Sequence, residues 1–123
     1  MVVKRNWRDI APRVGHESAI IWTLLSHEGQ EGVAEDEAPM KGQGTITLHS
    51  MQGRRSGDYH LHQDREQVYY FTKGHAKMKI DDVMYDVSEG DIVYVPVGAR
   101  HQLVNDGEDW VEHLIINALP TAG

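Results

Sequence analysis

From Thr45 onward the chain is a succession of short β-rich runs, each closed by Gly, Asp or Asn, and this rhythm constrains the fold more than any other feature of the sequence. The runs fall at 45–51, 58–62, 67–72, 75–80, 83–87, 92–95, 101–104 and 110–117. In the fourth, Lys77 and Lys79 alternate with Ala76, Met78 and Ile80, the period of a half-buried strand. Asp81-Asp82, Ser88-Glu89-Gly90-Asp91 and Asn105-Asp106-Gly107 supply turn residues that tolerate left-handed geometry. Many short strands at this spacing predict an all-β antiparallel sandwich or barrel. Upstream the pattern is weaker. Ala19-Ile20-Ile21-Trp22-Thr23-Leu24-Leu25 reads as one early strand, and the acidic stretch from Glu28 to Gly44 reads as a loop. No helix longer than a turn or two is expected.

With 123 residues, the chain has room for one core and one domain. The expected division is an N-terminal strand and loop (1–44) packed on a barrel (45–117), with a tail at 118–123. A net charge of −7 with scattered basic residues lacks the footprint of a nucleic-acid binder. Met1-Val2-Val3-Lys4-Arg5-Asn6-Trp7 leads into polar sequence without an apolar core, and no run is long enough to cross a bilayer, so a cytoplasmic protein with no membrane partner is expected. The chain has no cysteine, which leaves imidazole, carboxylate and amide groups as metal donors, and it has eight histidines.

Two stretches concentrate these donors. In His60-Leu61-His62, residues i and i+2 of a strand share a face and can offer two imidazoles to one ion, and a return strand brings Glu66 or Gln67 opposite. About forty residues on, Pro96-Val97-Gly98 makes a tight turn and His101 starts the next strand, where it can complete a ligand set. Three nitrogens and one oxygen from two hairpins form a normal shell for a catalytic metal with open positions.

These stretches resemble the paired motifs of the cupin superfamily. Gly90, Pro96, Gly98, His101 and Asn105 fill every fixed position of the second motif, G-x5-P-x-G-x2-H-x3-N. The first matches as H-x-H, a turn, a donor, six residues and Gly74, and the likeness runs from about Thr45 to Asn117. Two positions depart from it. Arg54 stands where the family commonly has Gly six residues before its first His, with Gly53 one further back, and the place of the usual Glu ligand, counted back from Gly74, holds Gln67. Glu66 lies next door at a spacing from His62 that the family also allows.

The resemblance implies a cupin (double-stranded β-helix, jelly-roll) barrel with a divalent transition metal (Zn, Ni, Mn or Fe) on His60, His62, Gln67 and His101. A His3Gln shell is neutral and leaves the ion its full charge, whereas Glu would reduce it by one. It implies Lewis-acid action on a small polar molecule, with sugar acids as one class, and Glu66, Tyr69 and His49 as candidates to move protons. The alternatives are an Fe(II) dioxygenase with Glu66 as ligand, and a non-catalytic cupin that binds or senses a small molecule. Arg54, Arg55 and Arg100 are candidates to meet an anionic substrate. His16, His27, His49, His75 and His113 lack motif support, and of these His49 and His113 lie on strands that can face the interior. Tyr59, Tyr69, Tyr94 and Trp110 are expected as core and rim aromatics, and Trp7 and Trp22 at a homodimer interface.

Overall fold

A computed structural model describes residues 3–42 and 44–119. Met1, Val2, Gln43 and, of the expected tail, residues 120–123 lie outside the described residues. The strands are β1 (Arg13–Gly15), β2 (Ala19–Leu25), β3 (Gly44–Met51), β4 (Arg55–Ser56), β5 (Glu66–Lys73), β6 (His75–Ile80), β7 (Val83–Ser88), β8 (Ile92–Val95), β9 (His101–Asn105) and β10 (Val111–Ala118). They form a six-stranded sheet in the order β1-β2-β3-β10-β5-β8 and a four-stranded sheet in the order β4-β9-β6-β7. Every ladder is antiparallel. Among the described residues, helix is confined to two 3-10 turns, Trp7–Asp9 and Glu35–Glu37.

Strand alternation builds the core between the sheets. Gln67, Tyr69 and Phe71 of β5 are buried, as are Val111, His113 and Ile115 of β10, while the residues between them face outward. Phe71, Met78 and Val111 are sealed from solvent. Burying a side chain of Phe71's size contributes roughly 1.5–3 kcal/mol relative to leaving it in water.

Two turns fix the registers that matter for the site. Asp81 and Asp82 take positive φ of 46° and 69°, the conformation of a two-residue hairpin turn, and join β6 to β7. Gly74, at φ 80°, is the single residue between β5 and β6, and a Cβ there would lie 2.7 Å from the Trp110 carbonyl oxygen. The departure noted before β4 also has a geometric account. Gly53 packs so closely on Glu108 that a Cβ would overlap its carbonyl, whereas Arg54 carries the left-handed backbone at φ 63° and ion-pairs with Glu108.

Two expectations need correction. A strand over 58–62 does not form. β4 pairs with β9 for two residues, Gly57 N still donates to Leu103 O, and beyond it the backbone ladder to β9 is reduced to the isolated His60–His101 bridge. The reason is competition for carbonyls: Gly57's accepts from the Gln102 side chain, Asp58's from the His60 ring and His62's from the Gly98 amide. The N-terminal region carries a strand more than expected, since β1 forms a hairpin with β2. Tyr94 and Trp110 stand about half exposed, at 57% and 48%, and Tyr59 lies beneath Lys79 and Arg100.

Candidate metal centre

His60 and His101 face each other across an antiparallel bridge, His60 N donating to His101 O at 3.0 Å and His101 N to His60 O at 2.7 Å. The Gly98 amide donates to His62 O at 2.8 Å, so the Pro96–Gly98 turn pins the second histidine of the pair. One nitrogen from each of His60, His62 and His101 lies within 4.8 Å of the others. The ring centroids are 4.4 Å apart for His60–His101, 4.8 Å for His60–His62 and 5.4 Å for His62–His101.

Hydrogen bonding orients these rings. His60 Nδ1 is 3.0 Å from the Asp58 carbonyl and His101 Nδ1 is 3.0 Å from the Ala99 carbonyl. A carbonyl can only accept, so Nδ1 carries the proton in both rings and Nε2 keeps its lone pair. Nε2 of His60, His62 and His101 is buried without a partner in all three. Burial first, then neighbouring Arg65, His60 and His101, push His62 down to about 4, and burial is also the main cause that lowers His101. These two imidazoles are therefore neutral at pH 7, the form that binds metal.

Gln67 sits on the inner face of β5 and is 5% exposed. Its Nε2 donates to Asn117 Oδ1 at 2.7 Å, and Asn117 Nδ2 donates to Thr45 Oγ1 at 2.8 Å. That chain leaves Gln67 Oε1 as a buried acceptor without a partner. Glu66 lies on the opposite face, where its carboxylate accepts from the exposed Tyr94 hydroxyl at 2.7 Å.

A small cavity of about 20 Å³, room for about one water, adjoins the cluster. His16, His49, His60, His101, His113, Asp58 and Tyr69 supply its polar lining, with Ala19, Met51, Leu103 and Ile115 among the apolar part. His49 and His113 are paired across β3 and β10 and stack at 5.1 Å. Burial, then the charge of His113, pushes His49 down to about 2, and burial followed by His16 pushes His113 down to about 3. His49 Nε2 lies 2.9 Å from Thr47 Oγ1. Tyr69 stacks on His113 at 5.4 Å and meets His101 edge-on at 6.1 Å, and its burial raises the phenol above the ordinary tyrosine range.

The structure thus gathers His49 and Tyr69 at the cavity and keeps Glu66 away from it. Arg54, Arg55 and Arg100 do not line it. Sequence reasoning missed His16 and Asp58. His16 arrives from the β1–β2 turn and no local spacing announces it, whereas Asp58 stands two residues before His60, where a supporting carboxylate was there to be read.

The fold and the histidine cluster define a small jelly-roll barrel with a candidate metal pocket. Residues 43–117 match the family described as the cupin domain, and the chain belongs to that family. An uncharacterized protein of Methanocaldococcus jannaschii is 28% identical over 110 residues, covering 86% of this chain and 78% of its own. Among solved structures, a predicted oxalate decarboxylase from Thermotoga maritima superposes with a TM-score of 0.78 at 20% identity, over 98% of this chain and 100% of that one. The polyketide cyclase RemF from Streptomyces resistomycificus gives a TM-score of 0.76 at 14% identity, over 100% and 83%. At such identities the likeness is one of fold.

Proposed function

We propose that the barrel binds one divalent transition metal through Nε2 of His60, His62 and His101 and Oε1 of Gln67, and acts on a small polar molecule that reaches the metal. One observation carries this reading: all four of these atoms are buried without a hydrogen-bond partner, a costly arrangement unless something they coordinate offsets it. When bound, the metal would polarise a carbonyl or hydroxyl oxygen as a Lewis acid. The donor set is neutral, so the ion keeps its full positive charge and favours an anionic oxygen such as a carboxylate. The cavity lining contains no Lys or Arg and has room for about one water, so inside it the metal would be the cationic partner of a bound oxygen, while Arg65, whose charge lowers His62, is the cation beside the cluster. Elemental analysis of the purified protein, with a screen for acids that shift its melting temperature and turnover assays with and without air, tests the reading. Absence of metal even after reconstitution would overturn it.

The two faces of β5 support Gln67 rather than Glu66 as the fourth donor. Gln67→Ala is expected to weaken metal binding, and Glu66→Gln to leave metal content unchanged. Gln67→Glu is expected to hold the metal as well or better, because Asn117 can turn its amide to donate to the new carboxylate while Thr45 donates in return. Metal lost in Glu66→Ala but kept in Gln67→Ala would assign the site to Glu66 and favour iron dioxygenase chemistry.

We also propose a homodimer through the outer face of the six-stranded sheet. Trp22, Leu48, Leu114, Tyr70 and Ile92 stand in register across five strands, and Ile46, Ile116, Val68 and Tyr94 form the adjacent row. Trp7 packs edge-on against Trp22 at 5.2 Å and covers one end of the first row, while Tyr70, Ile92, Tyr94 and Ile116 remain exposed. Light scattering is expected to give about twice the 13.9 kDa chain mass. Ile92→Lys, at a position 68% exposed, is expected to shift it toward monomer. A monomer in the unsubstituted protein would refute the assignment.

A further inference from the structure

The chain ahead of the family-matched region reaches the metal cluster at one point, the turn between β1 and β2. His16 and Glu17 hold positive φ of 49° and 70° there, and Ser18 Oγ fastens the turn to the Ser56 carbonyl at 2.9 Å. This docking lays the His16 ring against the His60 ring, with centroids 4.8 Å apart and planes 19° from parallel. His16 Nδ1 is 3.1 Å from Asp58 Oδ1. The other carboxylate oxygen, Oδ2, is 3.3 Å from His60 Nδ1, which also lies 3.0 Å from Asp58's carbonyl. Asp58 therefore spans two imidazoles, one of them in the cluster and the other delivered from outside the 43–117 segment.

We propose that Asp58 and His16 are positioning residues for the metal ligand His60, so that an N-terminal hairpin outside the matched region sets how tightly the barrel holds its ion. The inference rests on the metal-centre reading above. His60 Nδ1–H donates to the Asp58 carbonyl, and the Asp58 carboxylate stands beside the same N–H at 3.3 Å; a carboxylate in that place favours this tautomer and ring orientation and makes the free nitrogen a better donor. His16 contributes twice: its Nδ1–H holds the Asp58 carboxylate in place, and its ring face limits rotation of His60. His101 Nδ1 likewise meets a backbone carbonyl and His62 is held through its own carbonyl, but His60 is the ligand of the three with a carboxylate beside its Nδ1.

The experiment is Co²⁺ titration of the full chain, followed by the visible absorption of the bound ion, for wild type, Asp58→Asn, His16→Ala, His16→Phe and the Asp58→Asn/His16→Ala pair. Losing a supporting partner of this kind typically costs about 10–100-fold in metal affinity. Asp58→Asn is expected to fall in that range with an altered Co²⁺ spectrum. His16→Ala should lose less, and His16→Phe, which restores a flat ring without the donor, should recover part of that loss. The double variant should bind about as weakly as Asp58→Asn alone, since His16 acts largely through Asp58. Far-UV circular dichroism and the chelated melting temperature track the fold separately. Wild-type affinity and spectrum in both Asp58→Asn and His16→Ala would overturn the inference, whereas failure of the wild type itself to bind Co²⁺ would overturn the metal-centre reading beneath it.

Discussion

His101→Ala is expected to strip the metal while leaving a folded barrel. The side chain is 1% exposed at the start of β9, and its Nε2 is buried without a hydrogen-bond partner. Both hydrogen bonds that tie position 101 to His60 run through the backbone, so alanine preserves the bridge that sets the cluster's geometry. What disappears is one donor of four, together with the contact that His101 makes with the edge of Tyr69. Removing a ligand should cost more than the roughly 10–100-fold expected for a supporting partner. Metal content by elemental analysis should fall to background, and the gain in melting temperature on adding metal should vanish. In wild type that gain corresponds to about 2.7 kcal/mol when free metal is about 100 times Kd. Retention of wild-type metal in His101→Ala would contradict the assignment.

The second large effect is loss of stability in acid, measured on the chelated protein so that metal release does not add to it; there His62, held down to about 4, and His101, lowered by burial, act in the same direction as His49 and His113. His49 and His113 are held neutral in the folded state, at about 2 and about 3, against 6.5 in the unfolded chain. Their folded values are depressed, so below about pH 6.5 the unfolded state takes up protons that the folded state refuses. Stability therefore falls as pH drops through 6.5 and keeps falling until the folded values are reached. Each group contributes a slope of up to about 1.4 kcal/mol per pH unit. Two such groups together can consume much of the roughly 5–15 kcal/mol typical of a domain before pH 4. Urea unfolding at pH 7.5, 6, 5 and 4 should show a steep decline, and His113→Phe should flatten it. A midpoint that stays constant from pH 7.5 to 4 would show that the buried imidazoles are not held neutral by the fold.

Much of the barrel was legible because its strands alternate. Lys77 and Lys79 against Ala76, Met78 and Ile80 gave β6 its bounds, and Asp81-Asp82 gave the turn that follows. His101, Gly98 and Pro96 could be placed because a turn followed by a strand is local chemistry. The stretch around His60 was misjudged as a strand because its carbonyls are spent on side chains, which no period in the sequence records. His16 was invisible for a related reason: its contact with Asp58 spans 42 residues and depends on where a hairpin docks. Of the aromatics expected at core and rim, Tyr69 is buried, whereas Tyr94 and Trp110 stand about half exposed.

The single-glycine link at Gly74 bears on how the centre can change over generations. Because β5 passes into the other sheet through one residue, inserting or deleting a residue there would slip the strand by one place. That slip would bring Glu66 inward, but it would also turn Tyr69 and Phe71 out to water and Val68 and Tyr70 into the core. On the proposed ligand set, a carboxylate reaches the fourth-donor position more directly by a change at codon 67, where one base separates glutamine from glutamate, than by moving Glu66 inward.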